Sequence, residues 1–213
     1  MTVAVAAALV AVGASPRHAV AQTGVRRWSV ELFGGGALSA PMPLVIRQDG
    51  EQRLSFTAHY ATRPWRDSPY YMYRVGRWDA GGRRGWELEL LHHKAYLERP
   101  PSEVQRFEMS HGYNMIFLDR AVRRGRTIVR LGAGAVVAHP ESVVRGRSRR
   151  GAYILSGAAG QLAASRRFRL TRALFASAEG KITAAWARVP IAGGHAVASN
   201  VAGHALLGVG VGF

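Results

Sequence analysis

The segment Trp86-Glu87-Leu88-Glu89-Leu90-Leu91-His92-His93-Lys94 is the densest group of titratable side chains in this 213-residue chain. In an extended strand successive side chains point to opposite faces, so Glu87, Glu89 and His93 share one face. The same alternation separates His92 from His93 and argues against a metal pair there. Arg74, Glu108, Arg130, Glu179, Lys181 and His204 carry complementary charge on other segments of similar pattern. Brought together on an enclosed face they would form a network whose first role is structural, because buried charges must be compensated. His111 is a different case, since Phe107, Met109, Tyr113, Met115 and Phe117 share its phase, and a histidine in an apolar stripe needs a partner or a function. His139-Pro140-Glu141-Ser142 sets histidine, carboxylate and hydroxyl side by side, yet a hydrolytic triad is defined by geometry rather than by adjacency. His111, His139, Glu141 and Ser142 are therefore candidate catalytic residues in a chain that reads more as a non-enzyme. Arg145, Arg147, Arg149 and Arg150 follow at once, and guanidinium groups suit bidentate contact with phosphate. With no cysteine, thiolate metal sites, disulfides and a cysteine nucleophile are excluded, and the expectation is no metal and no cofactor.

The elements that must position these groups have a period of two. From Phe168 to Trp186 one face reads Phe168, Leu170, Arg172, Leu174, Ala176, Ala178, Gly180, Ile182, Ala184, Trp186, and the other carries Ser177, Glu179, Lys181 and Thr183. An apolar outside bounded by aromatics against a polar inside is the pattern of a membrane-spanning β-barrel strand. The same reading gives strands near Trp28–Leu38, Leu44–Gln48, Glu51–Tyr60, Tyr70–Trp78, Gly85–Leu97, Gln105–Leu118, Thr127–His139, Ala152–Ala164, Phe168–Trp186 and Val197–Phe213. It puts Glu108, Ser110 and Asn114 inside and His111 toward lipid.

Residues 1–21 read as a cleavable signal peptide. Val3 to Gly13 is an apolar run too short to span a bilayer, and Ala19-Val20-Ala21 has the small-x-small form of a cleavage site. Residues 22–213 then form one all-β domain, a single antiparallel transmembrane barrel of about ten strands. Asp49-Gly50 marks a type I′ hairpin, read as a turn at the inner end with 79–84, 119–126 and 165–167. Every proline after residue 21 falls in a connection assigned to the outer end, near 39–43, 61–69, 98–104, 140–151 and 187–196. Leu44–Gln48 is short against the 9–11 residues or so that a spanning strand takes, so eight strands are the alternative.

The net charge of +16 fits nucleic acid or an anionic membrane surface. Export removes nucleic acid as a partner and leaves outer-membrane lipids and lipopolysaccharide.

In the final segment Val197, Val201, Ala205, Leu207, Val209, Val211 and Phe213 alternate with Asn200, His204, Gly208, Gly210 and Gly212. With its terminal aromatic the segment resembles the last strand of bacterial outer-membrane β-barrels. That resemblance implies the outer membrane of a Gram-negative bacterium, with Leu207, Val209, Val211 and Phe213 as the signal read by the barrel-assembly machinery. A narrower likeness, to outer-membrane lipid A deacylases, rests on His111 alone. Those enzymes carry serine two residues after the histidine, where this chain has Tyr113. Three functions are thus in play: a non-enzymatic barrel that is structural or contacts lipopolysaccharide through its loops, a lipid A-modifying hydrolase, and a narrow channel for a small solute.

Overall fold

The computed structural model describes residues 27–66 and 68–213, so the expected signal peptide lies outside the described residues. Among the described residues there are twelve strands and no helix. The strands are β1 (Trp28–Ser39), β2 (Met42–Gln48), β3 (Leu54–Ala61), β4 (Tyr71–Trp78), β5 (Arg84–Glu98), β6 (Val104–Arg124), β7 (Thr127–Ala138), β8 (Glu141–Val144), β9 (Arg147–Arg150), β10 (Ile154–Arg169), β11 (Leu174–Ile191) and β12 (Gly194–Gly212).

All pairings are antiparallel. Followed through neighbours, they return to their start in the order β1-β4-β5-β6-β7-β10-β11-β12, because β12 pairs β1 from Ser29↔Gly212 to Ser39↔Ala202. The closed ring therefore holds eight strands, the alternative count rather than about ten. β2 and β3 are not separate wall strands. They continue β1 and β4 past breaks at 40–41 and 62–70 and stand between β12 and β5. The shortness of β2 follows, since it is half of an interrupted strand. Lys94 Nζ, buried in the wall, holds the second break by donating to the carbonyls of Arg66 and Ser68.

At one end of the ring Trp28 and Phe213 exchange backbone hydrogen bonds of 2.9 and 3.0 Å, and the connections 79–83, 125–126 and 170–173 lie there. At this closing end the backbone N–H groups of Arg83 and Arg84 donate to the Asp79 carboxylate at 2.8 and 3.2 Å. Those bonds hold its pKa below the ordinary carboxylate range. The connections 49–53, 99–103, 145–146 and 192–193 occupy the other, hairpin end. Asp49-Gly50 is thus at the opposite end from the one its sequence suggested, in a five-residue loop. The expected turn at 165–167 is also absent: Ser165 and Arg167 are interior positions of β10, and the chain turns at 170–173.

Pro43 and Pro190 fall inside β2 and β11 rather than in connections. Each is tolerated because one side of its strand is unpaired there: β12 pairs β2 only from Leu44, and β10 pairs β11 only up to Ala187.

The wall alternates as a membrane barrel must. Outside, Val30, Leu32, Val75, Leu88, Leu118, Leu131, Leu162, Ile182, Leu207 and Val209 are exposed, with Trp28, Trp86, Phe168, Trp186 and Phe213 among the aromatics. Leu131 and Leu207 leave 68% and 71% of their surface uncovered, which water would penalise and hydrocarbon does not.

Inside there are two zones. Toward the closing end the interior is charged, with Arg74 and Arg130 almost wholly buried. Toward the hairpin end it is apolar, filled by Leu44, Ile46, Tyr60, Phe107, Met109, Tyr113, Val136, Val144, Val189 and Ile191. The stripe Phe107, Met109, Tyr113, Met115 and Phe117 therefore faces this interior core, not lipid, contrary to the alternation rule as applied to the sequence.

Candidate functional site

Three places gather the groups that the sequence singled out. The first is the charged zone of the interior. Arg74 on β4 donates to Glu89 on β5 at 2.6 Å and to Glu179 on β11 at 2.7 Å. Arg130 on β7 donates to Glu87 and to Glu179, the latter at 3.2 Å, and Lys181 Nζ to Glu89 and, at 3.0 Å, to Gln161. Arg167 on β10 reaches across to Glu31 on β1. In the ring order β5 and β11 are opposite, so the Lys181–Glu89 pair crosses the full interior. His204 stands beside this network, between the hydroxyls of Tyr70 and Thr183. Glu108 is outside it altogether, on the wall near the hairpin end, paired with Arg106. Ser110 is buried, while Asn114 turns to His92 at 2.7 Å instead of joining the network.

Glu31 and Arg167 belong to the network without having been picked out beforehand. Glu31 had a signal, because Ser29, Glu31 and Phe33 alternate with Val30 and Leu32. Arg167 was hidden by its assignment to a turn.

The second place is the hairpin end. Gln48 Nε2 donates to the carbonyl of Ala192 at 3.0 Å, and the backbone N–H of Asp49 to that of Gly193 at 2.8 Å. Arg145 and Gly146, both at positive φ, make the two-residue turn between β8 and β9. Arg145 then donates to Gln48 Oε1 at 3.0 Å and to the carbonyl of Gln52 at 2.8 Å, and Arg147 pairs with Glu51 at 3.3 Å. Two of the four arginines thus clamp one hairpin to another, whereas Arg149 and Arg150 remain exposed.

The third place is a cleft of about 350 Å³ on the outside of the wall, lined by Arg66, Tyr96, Arg106, Glu108, Ser110, His111 and Glu141. A register shift in β6, with Gly112 at φ +131°, makes it. A Cβ at Gly112 would lie 2.3 Å from the Asn114 side chain, so the bulge needs glycine. The bulge leaves Ser110 and Gly112 buried and swings His111 outward, its side chain 54% exposed. Two bonds fix the bulge: the N–H of His139 donates to the Gly112 carbonyl at 2.9 Å, and Tyr153 Oη to the His111 carbonyl at 2.9 Å.

His111, His139 and Glu141 meet here, their ligand atoms within 4.8 Å of one another. His111 Nδ1 is 3.4 Å from Glu141 Oε1 and 3.2 Å from Ser110 Oγ. A serine triad needs hydroxyl and carboxylate on opposite nitrogens of the ring, and here both approach the same one. Ser142, the other candidate hydroxyl, is buried. The arrangement suits cation binding better than ester hydrolysis.

No protein-family model matches the sequence, and no curated protein matches it. Solved structures do match in shape. Outer membrane protein AlkL, determined in DMPC lipid bilayers, superposes with a TM-score of 0.53 at 12% identity over 95% of this chain and 97% of that one. Neisserial surface protein A gives 0.45 at 10% identity, over 87% and 97% of the two chains. OprG of Pseudomonas aeruginosa gives 0.44 at 14% identity, over 89% and 98%. The fold is that of the small bacterial outer-membrane β-barrels.

Proposed function

We propose that this chain is a sealed outer-membrane barrel that acts through its rims, with the hairpin end outward and in contact with lipopolysaccharide. The observation that carries the reading is the set of ion pairs crossing the interior. Arg74, Arg130, Arg167 and Lys181 each reach a carboxylate on a non-adjacent strand. Side chains paired across the interior obstruct it and cost several kcal/mol to pull apart, which argues against a channel for solutes.

With the interior closed, interaction falls to the surface. Arg149 and Arg150 are exposed arginines of β9 that the clamp between loops does not use. At the closing end Arg77 stacks over Trp28, Arg120 over Trp86 and Arg166 over Phe168, at 5.6, 5.1 and 5.7 Å from the ring centres. An aromatic ring with a guanidinium above it suits the level where acyl chains give way to phosphate. Both rims are therefore equipped for anionic headgroups.

Two measurements test this. In planar bilayers the purified barrel should give no steps of conductance, and stable ohmic steps would refute the seal. The pair Arg149→Gln and Arg150→Gln should weaken lipopolysaccharide binding about tenfold or more at low salt, at about 1 kcal/mol per surface arginine, and unchanged binding would remove the lipopolysaccharide contact.

A further inference from the structure

We propose that His111, His139 and Glu141 form a site for a divalent first-row transition ion of the zinc type. Two imidazoles and a carboxylate are a ligand set for such an ion, and a fourth position open to solvent completes it. The spacing fits. Ligand atoms about 2.0–2.2 Å from a tetrahedral zinc lie about 3.3–3.5 Å apart, and His111 Nδ1 and Glu141 Oε1 are separated by 3.4 Å.

The surroundings orient the ligands. Arg106 donates to the other carboxylate oxygen, Glu141 Oε2, at 2.8 Å, which fixes the carboxyl with Oε1 turned to the imidazole. His139 Nδ1 is buried and has no hydrogen-bond partner among the described residues, a state that costs free energy unless something occupies it. The His139 ring is braced by Tyr153, with centroids 4.9 Å apart, and faces the His111 ring at 5.1 Å. Outer contacts of this kind hold metal ligands in place.

Glu108 pairs in register with Glu141 and places a second carboxylate at the edge of the cleft. Since His111 comes from β6, and His139 and Glu141 flank the junction of β7 and β8, a bound ion cross-links the bulge to that junction. The cleft opens outside the wall beside the 99–103 connection of the hairpin end, so, on the outward orientation proposed above, the ion exchanges with the external medium.

Zinc chloride titrated calorimetrically into the chelator-treated, refolded barrel in detergent tests the site. One ion per chain is expected. His111→Ala and His139→Ala should each weaken binding at least tenfold, while His195→Ala, at a half-buried histidine on β12 across the ring from β6, should leave it unchanged. Cobalt(II) in place of zinc should give the visible absorption of a tetrahedral nitrogen and oxygen site in the unaltered protein and lose it in both variants. Heat-modifiable migration reports folding. Should His139→Ala fail to refold, His111→Ala decides alone, because its side chain is largely exposed. Absence of zinc binding at millimolar concentration, or equal binding in the His111 variant, overturns the proposal.

Discussion

Alanine in place of Glu179 is expected to lower the stability of the refolded barrel by about 3–5 kcal/mol, the loss seen when one member of a buried ion pair is removed. Glu179 accepts from Arg74 at 2.7 Å and Arg130 at 3.2 Å, and lies 3.2 Å from Lys181. Without it three buried cations are held by Glu31, Glu87 and Glu89 alone, in an interior with little water to take over. Urea titration in lipid vesicles, followed by tryptophan fluorescence, gives the difference directly. Arg149→Gln is the reference, since substitution of an exposed surface side chain changes stability by about 0.5 kcal/mol or less. A Glu179→Ala midpoint indistinguishable from that reference would mean that the interior is hydrated and the seal is not real.

Arginine in place of Ile182 should cost about 2–4 kcal/mol in the same vesicles, the penalty for a cation on the lipid face near mid-membrane. Ile182 is 59% exposed and lies between exposed Leu174 and Trp186 on the outer face of β11. Its neighbour Thr183 is wholly buried and faces the interior, so the two positions separate lipid from lumen by a single residue. If Ile182→Arg is as stable as the unaltered protein, the outer face meets water and the membrane reading fails.

How much of this was legible in the sequence depended on what filled each part of the interior. β11 and β12 were readable because one face is polar throughout the charged zone: Glu179 and Lys181 mark the inside, and Ile182, Leu207 and Val209 the outside. In β6 the same rule inverted. Phe107, Met109 and Met115 look like a lipid face, but the barrel is apolar inside at that height, so hydrophobicity no longer distinguishes the two sides. The bulge at Gly112 also sets a step of four residues in β6, from Met109 to Tyr113, against a step of two in β5, so the alternation reverses at 110–112 and is regained beyond, which no periodicity shows.

The Asp49-Gly50 signal was read correctly as a turn and placed at the wrong end. A local turn motif carries no information about the breaks at 40–41 and 62–70 that join two segments into one wall strand. The convergence of His111, His139 and Glu141 was invisible for a related reason. Each residue stood out alone, and only the pairing of β6 with β7 and β8 makes them neighbours.

The seam between β1 and β12 bears on how the molecule reaches this state. Partners such as Ser29 and Gly212 lie at almost the largest sequence separation the described chain offers. Contacts of that kind form late and slowly, because loop entropy is lost before they repay it. Until they form, β1 and β12 are two open sheet edges, each able to pair with the complementary edge of another copy. Crowding of unfolded chains should therefore compete directly with closure, and holding the two edges side by side is the one service this sequence most needs from any helper during assembly.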